Sequence, residues 1–141
     1  CLALNIKSDG LCVKVKSLIN KFQIFNYFCF DMSYPDLRDY EKNNLNFYTR
    51  TSEFEKELLQ YQNCKGVWID AFETEWYSKY ILKKFLKQNK KIAIVSPELH
   101  KRNYKSNWEI IKKMNLSINS IDISLCTDHP LEAVDYFKEN I

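Results

Sequence analysis

Lys91-Ile92-Ala93-Ile94-Val95 runs without a break into Ser96-Pro97-Glu98-Leu99-His100. Five residues, four of them apolar and three β-branched, read as a strand buried on both faces, which is the mark of a parallel sheet. The polar cluster after it is where such a strand leaves the core. The same grammar recurs on either side. Leu2-Ala3-Leu4 runs into Asn5-Ile6-Lys7-Ser8-Asp9, and Tyr27-Phe28-Cys29-Phe30 into Asp31-Met32-Ser33. Phe47-Tyr48 leads into Thr49-Arg50-Thr51-Ser52-Glu53, and Val67-Trp68-Ile69 into Asp70-Ala71-Phe72-Glu73. Ile123-Ser124-Leu125-Cys126 ends the series at Thr127-Asp128-His129. In parallel α/β folds, ligands and chemistry gather at the carboxyl ends of strands. The repeat therefore proposes a fold and the edge of it that carries a site.

Between the strands the spacing turns helical. Strands are expected over 2–7, 25–31, 46–50, 67–71, 91–95 and 121–126. Helices are expected over 12–21, from Pro35, over 53–60, 75–89 and 103–114, and from Pro130 over 131–140. Ser52 with Glu55 three residues later reads as a capping box, and Thr74 as the cap of the long amphipathic helix. Trp68, Trp76 and Trp108 read as core. The fold class is α/β: parallel (β/α) repeats, about six units in a single domain over 1–141, at about 24 residues each. Two architectures fit, most of a TIM-like barrel or an open doubly wound sheet. A complete (β/α)8 barrel takes at least ~200 residues, so this chain would form its carboxyl-terminal part. It opens on Cys1 rather than Met, and upstream sequence is expected.

Composition narrows the function classes. Hydrophobic residues make up 45% and aromatics 15%, enough for a core and against disorder. The net charge of +3 is spread over lysine-rich helix faces with acidic residues between them, so no nucleic-acid partner is expected. Two glycines, Gly10 and Gly66, cannot make a G-x-G-x-x-G or P-loop. Five cysteines without a C-x-x-C pair argue for a reducing, cytoplasmic setting. No apolar run approaches ~20 residues, and no transmembrane segment is expected. The oligomeric state is not written in these residues.

Cations beside carboxylates at the strand ends suit a phosphate ester. Lys7, at the end of an otherwise apolar strand, is the leading candidate for a catalytic and substrate-binding role. Arg50, Asp31, Asp70, Glu98 and Asp128 complete the candidate substrate site. Asp128 before Pro130 also reads as a helix cap, Ser96 before Pro97 as a turn residue, and His100 as a helix-start histidine.

Leu4-Asn5-Ile6-Lys7 resembles the E-I-K strand of glycerophosphodiester phosphodiesterases and their phosphatidylinositol-specific phospholipase-C-like relatives. Ser124-Leu125-Cys126-Thr127-Asp128-His129-Pro130, with Glu132-Ala133, resembles their closing strand, which often ends T-D-x-P. Phe28-Cys29-Phe30-Asp31-Met32-Ser33 and Ile92-Ala93-Ile94-Val95-Ser96 lie where that family has strands ending in S-F and in W-T-x-N. The resemblance covers nearly the whole chain through short motifs. It implies the last six units of a barrel, hydrolysis of a glycerophosphodiester or related small phosphodiester, a phosphate-facing Lys7, and a divalent cation (calcium or magnesium). The family's H-R-G strand, its E-x-D strand and its second catalytic histidine lie upstream of E-I-K and are absent here. Asn5 replaces the metal-binding glutamate, so the metal ligands stay unassigned and this chain alone is expected to be incomplete and inactive. Two alternatives stand beside this one. Asp31 in Phe30-Asp31-Met32-Ser33 is similar to the nucleophile of haloacid-dehalogenase-like phosphatases, with Ser33 where their second aspartate falls. The other is a non-catalytic binding or scaffold domain.

Overall fold

The computed structural model describes residues 1–116 and 122–138. Its six strands are β1 (Leu2–Asn5), β2 (Tyr27–Phe30), β3 (Tyr48–Thr51), β4 (Gly66–Ile69), β5 (Lys91–Val95) and β6 (Ile123–Cys126). Five helices lie between or after them: α1 (Cys12–Lys21), α2 (Tyr34–Lys42), α3 (Lys79–Lys87), α4 (Lys105–Lys113) and α5 (Pro130–Lys138). Every strand pair is parallel. The strands make a two-stranded sheet, β1-β2, and a four-stranded sheet, β3-β4-β5-β6. A single bridge, Cys29 to Phe47, joins them. Sheets of two and four strands belong with open α/β sheets, and no barrel closes among the described residues. No helix among these residues is long and apolar enough to cross a membrane.

The alternation within each strand separates two layers. Ile92 and Ile94 of β5, Val67 and Ile69 of β4 and Ile123 of β6 pack with Leu82 and Phe85 of α3 and Ile111 of α4. Cys29 and Phe47 pack with Cys12 and Ile19 of α1 and Leu37 and Tyr40 of α2. The opposite face holds Phe28, Phe30, Tyr48, Trp68, Ala93 and Val95, and no helix residue joins that cluster. Phe28 stacks on Tyr48 with centroids 3.8 Å apart, and Phe30 on Trp68 at 3.9 Å. Gly66 pairs with Tyr48 across the ladder, and a Cβ there would come within 2.6 Å of both the Tyr48 ring and the Lys91 carbonyl oxygen. Glycine is what lets that ring lie against the strand.

Helix α1 and strand β5 have the expected bounds, and the other strands lie within a residue or two of theirs. The expected residue 121 of β6 and residues 139 and 140 of the last helix lie outside the described residues. Two helices depart from expectation. No helix forms over 53–60. Ser52 Oγ accepts from the backbone N–H groups of Phe54 and Glu55, as a cap would. The Glu55 side chain, however, is drawn to Arg50 instead of reaching back to complete the box. The helix expected over 75–89 begins only at Lys79, where Ser78 Oγ accepts from the Ile81 N–H at 3.4 Å. Thr74 is not its cap, because the helix starts five residues later under Ser78; residues 72–74 form a loop whose N–H groups bind Glu53. Pro97–His100 forms a short 3-10 turn that spacing alone did not reveal.

Candidate functional site

Parallel strands in register bring their carboxyl ends to one edge. Lys7 lies two residues past β1, Asp31 directly follows β2, and Arg50 belongs to β3. Lys7 Nζ donates to Asp31 Oδ2 at 2.6 Å. Arg50 Nη1 donates to Asp31 Oδ1 at 2.5 Å. Arg50 also presents Nε and Nη2 to the two oxygens of Glu55, at 2.6 and 2.7 Å. That planar two-point grip is the geometry a guanidinium makes with carboxylates and phosphates alike. The hydrogen bonds to Glu55 raise the Arg50 pKa, partly offset by burial, with Glu55, Asp31 and Asp70 adding attraction through space. Asp31 holds φ at 71°, a left-handed conformation that aspartate tolerates better than most residues.

Arg50 separates two hollows. One, of about 340 Å³, is lined by Ile6, Lys7, Ser8, Asp9, Asp31, Met32, Ser33 and Arg50. The other, of about 300 Å³, includes Arg50, Phe54, Glu55 and Leu59. Ser33 donates to Asp9 at 2.8 Å and accepts from the Asp36 N–H, so the rim of the first hollow is tied to the start of α2.

Further along the edge, Asp70 follows β4 and its backbone N–H reaches the Thr51 carbonyl at 2.9 Å. Asp70 Oδ1 lies 2.6 Å from His100 Nε2 and accepts the Ala71 N–H at 3.0 Å. The Phe72 ring rests against His100 with centroids 4.7 Å apart. The result is a half-buried carboxylate–imidazole pair, held in orientation from both sides. Arg102 Nη1 braces this loop by donating to the Ala71 carbonyl at 2.9 Å.

Glu98 serves a different purpose. Its carboxylate accepts from Ser96 Oγ, from Thr127 Oγ1, and from the Asp128 N–H at 3.2 Å. It thus staples the end of β5 to the end of β6. Burial pushes the Glu98 carboxyl up, but the Ser96 and Thr127 hydroxyls and the backbone N–H groups outweigh it, and the group sits below its ordinary 4.5. Ser96 is fully buried and accepts from Trp108 Nε1 at 2.8 Å, which makes it structural. Asp128 is exposed, and only its backbone joins the Glu98 network.

Of the six candidates from sequence, the structure joins Lys7, Asp31 and Arg50 directly. Asp70 lies one strand along, its backbone N–H on the carbonyl of Thr51 beside Arg50, while Glu98 and Asp128 belong to the β5–β6 staple. His100 gains weight from Asp70, thirty positions away in the chain, which no local pattern could reveal. Glu55 was read as part of a helix cap and is instead the partner of Arg50.

The divalent cation implied by the resemblance finds no fitting donor set. Asn5 is exposed at the end of β1, Asp31 and Glu98 spend both oxygens on protein donors, and Asp70 spends Oδ1 on His100 and the Ala71 N–H. No group of three His, Cys, Asp or Glu side chains able to hold a metal gathers among the described residues. The alternative with Asp31 as nucleophile gains no support either, since both its oxygens lie in ion pairs and Ser33 caps α2.

No family model, curated protein or solved structure matches this chain.

Proposed function

We propose that this chain binds a phosphodiester at the carboxyl edge of its sheet, over Lys7 and Arg50, as part of a barrel-like phosphodiesterase. The observation that carries the reading is Arg50 itself. It stands between Lys7–Asp31 on one side and Asp70–His100 on the other, with a hollow against its guanidinium. Lys7 and Arg50 supply the positive groups a phosphate needs, and Arg50 already grips a planar oxyanion in its two-point fashion. The barrel-like arrangement draws support from the strand order, which follows chain order within each sheet, and from helices packed on one face only. Right-handed crossovers between strands added in sequence put every helix on the same side, as around a barrel.

In this reading Asp70 orients the His100 ring through Nε2, and Nδ1 is the nitrogen that exchanges a proton with the attacking or leaving oxygen. The test is calorimetric titration with sn-glycero-3-phosphocholine. Lys7→Ala and Arg50→Ala each remove a charge-assisted contact and weaken binding about tenfold or more. Absence of binding at 10 mM ligand, about a 2.7 kcal/mol floor, or binding that ignores both substitutions, refutes the site.

A second reading, a non-catalytic phosphate-binding domain, is favoured by the pairing of every cation in this cluster with a carboxylate. Hydrolysis of bis(p-nitrophenyl) phosphate separates the two. Turnover that His100→Ala lowers about a hundredfold or more supports the enzyme. Binding without turnover, in this chain and in a longer one that contains it, supports the second.

A further inference from the structure

Of the three carboxylates on the loop that replaces the expected helix at 53–60, Glu53 and Glu55, two positions apart, each occupy a seat built for an oxyanion. Glu55 fills the Arg50 fork. Glu53 fills a concavity of three consecutive backbone N–H groups. Its Oε1 accepts from Glu73 at 2.6 Å and from Thr74 at 3.2 Å, and its Oε2 accepts from Phe72 at 3.2 Å. Successive amides converging in this way make an anion site that holds phosphate oxygens as readily as carboxylate oxygens. We propose that residues 53–57 are an internal plug, with Glu53 and Glu55 standing where anionic oxygens of the phosphate ligand bind, and that the backbone of Phe72–Thr74 is the second half of that binding site. This rests on the reading of Arg50 as a phosphate-binding residue and extends it by one seat.

Three features make the plug removable. The segment has no helix of its own and is anchored at its base, by Ser52 Oγ to the N–H groups of Phe54 and Glu55 and by Thr51 Oγ1 to the Glu55 carbonyl. Phe54, between the two glutamates, is 65% exposed and meets only the edge of the neighbouring loop at Phe72. Residues 54–57 are exposed, while Ser52 is buried and Leu58 packs against the core, so the stretch 53–57 can leave its seats with its two ends held. The two seats also empty together, because Glu53 and Glu55 ride on the same short stretch. A phosphate entering the fork thereby frees the amide seat beside the Asp70–His100 pair, and the Arg50 charge passes from an internal carboxylate to the ligand. Burial alone would raise the Glu53 carboxyl. The N–H groups of Glu73, of Glu53 itself, of Thr74 and of Phe72 more than reverse this and keep it below its ordinary 4.5, so the seat stays filled by a charged group at neutral pH.

The experiment is a titration of the 15N-labelled chain with inorganic phosphate, followed by amide and Arg50 Nε shifts. Phosphate is expected to move the amides of Phe72, Glu73 and Thr74 together with Arg50 Nε, and folded Glu53→Gln/Glu55→Gln to bind phosphate about tenfold more tightly than the parent. Shifts confined to Lys7, Ser8 and Asp31–Ser33, with residues 72–74 unmoved, overturn the plug and leave the Lys7–Arg50 site standing. No shift at either place overturns both. A folded double variant with unchanged or weaker affinity also overturns the plug. Should the double variant not fold, the response of residues 72–74 in the parent chain decides.

Discussion

Replacing Glu98 by Gln tests whether this residue is a staple or a substrate ligand. The carboxylate takes three donors, Ser96 Oγ on Oε2, and Thr127 Oγ1 and the Asp128 N–H on Oε1. Gln keeps one acceptor oxygen, so the two bonds to Oε1 survive as weaker neutral ones. The Ser96 hydroxyl loses its acceptor, because an amide NH2 cannot receive its proton. Ser96 has no exposed surface through which water could replace the lost partner. A hydrogen bond to a charged group contributes about 1.5–3 kcal/mol, and a stranded buried donor costs about 1–3 kcal/mol. The expected loss of stability is therefore about 2 kcal/mol, with a fall in Tm of about 7 °C for a chain of this size. The assay is urea unfolding followed by tryptophan fluorescence, to which Trp108, bonded to Ser96, contributes. The pH dependence has a definite sign. A carboxyl held below 4.5 in the folded state contributes its full stability above that value and loses it as pH falls through the folded pKa. The difference between parent and Glu98→Gln is thus complete at pH 7, shrinks below pH 4.5, and vanishes once Glu98 is protonated in both states. A difference under about 0.5 kcal/mol at pH 7, or one of equal size at pH 7 and at pH 3, refutes the staple.

Gly66→Ala drives a methyl group into the Tyr48 ring and the Lys91 carbonyl oxygen, so a loss of about 1–3 kcal/mol is expected by denaturant titration, with the Phe28–Tyr48 stack disturbed. Leu82→Ala removes a fully buried side chain between α3 and the sheet and is expected to cost about 2–5 kcal/mol by the same measurement. Alkylation at pH 8 is expected to modify exposed Cys1 quickly and to leave Cys29 untouched until the protein unfolds. Burial, with a smaller contribution from Cys12, pushes the Cys29 thiol up to about 12, and mass spectrometry of the labelled peptides reads the difference.

The parallel α/β class and most strand positions were legible because each strand is a short apolar run with a polar end, and that pattern needs no knowledge of distant residues. Ile92 and Ile94 proclaim a strand by themselves. In both helix failures a glutamate is drawn to a partner outside its own turn. Glu55 stood in a capping box until Arg50 claimed it, and the helix over 53–60 went with it. Thr74 lies instead in a loop whose N–H groups bind Glu53, and α3 starts at Lys79 under Ser78. At the site, Lys7, Asp31 and Arg50 could be singled out by chemistry, but their mutual pairing depends on the neighbouring ends of β1, β2 and β3. His100 reads as a helix-start histidine in the sequence because Asp70 comes from another strand. The division of six strands into sheets of two and four leaves no trace in the apolar pattern.

That division has a dynamic consequence. Between β2 and β3 the backbone ladder shrinks to the Cys29–Phe47 bridge, while Phe28 on Tyr48 and Phe30 on Trp68 press ring faces across the gap. The two blocks are thus coupled by side chains, through these stacks, the Cys29–Phe47 core cluster and the Asp31–Arg50 ion pair, more than by a backbone ladder. Such a joint lets β1, β2 and α1 open as a subglobal unit while β4 and β5 stay closed. Because Lys7 and Asp31 ride on the first block and Arg50 on the second, each such opening takes the candidate phosphate site apart at its middle. A ligand spanning Lys7 and Arg50 would work as a clasp across the seam. Slowed amide exchange in β1 and β2 would then register its binding far from the atoms it touches.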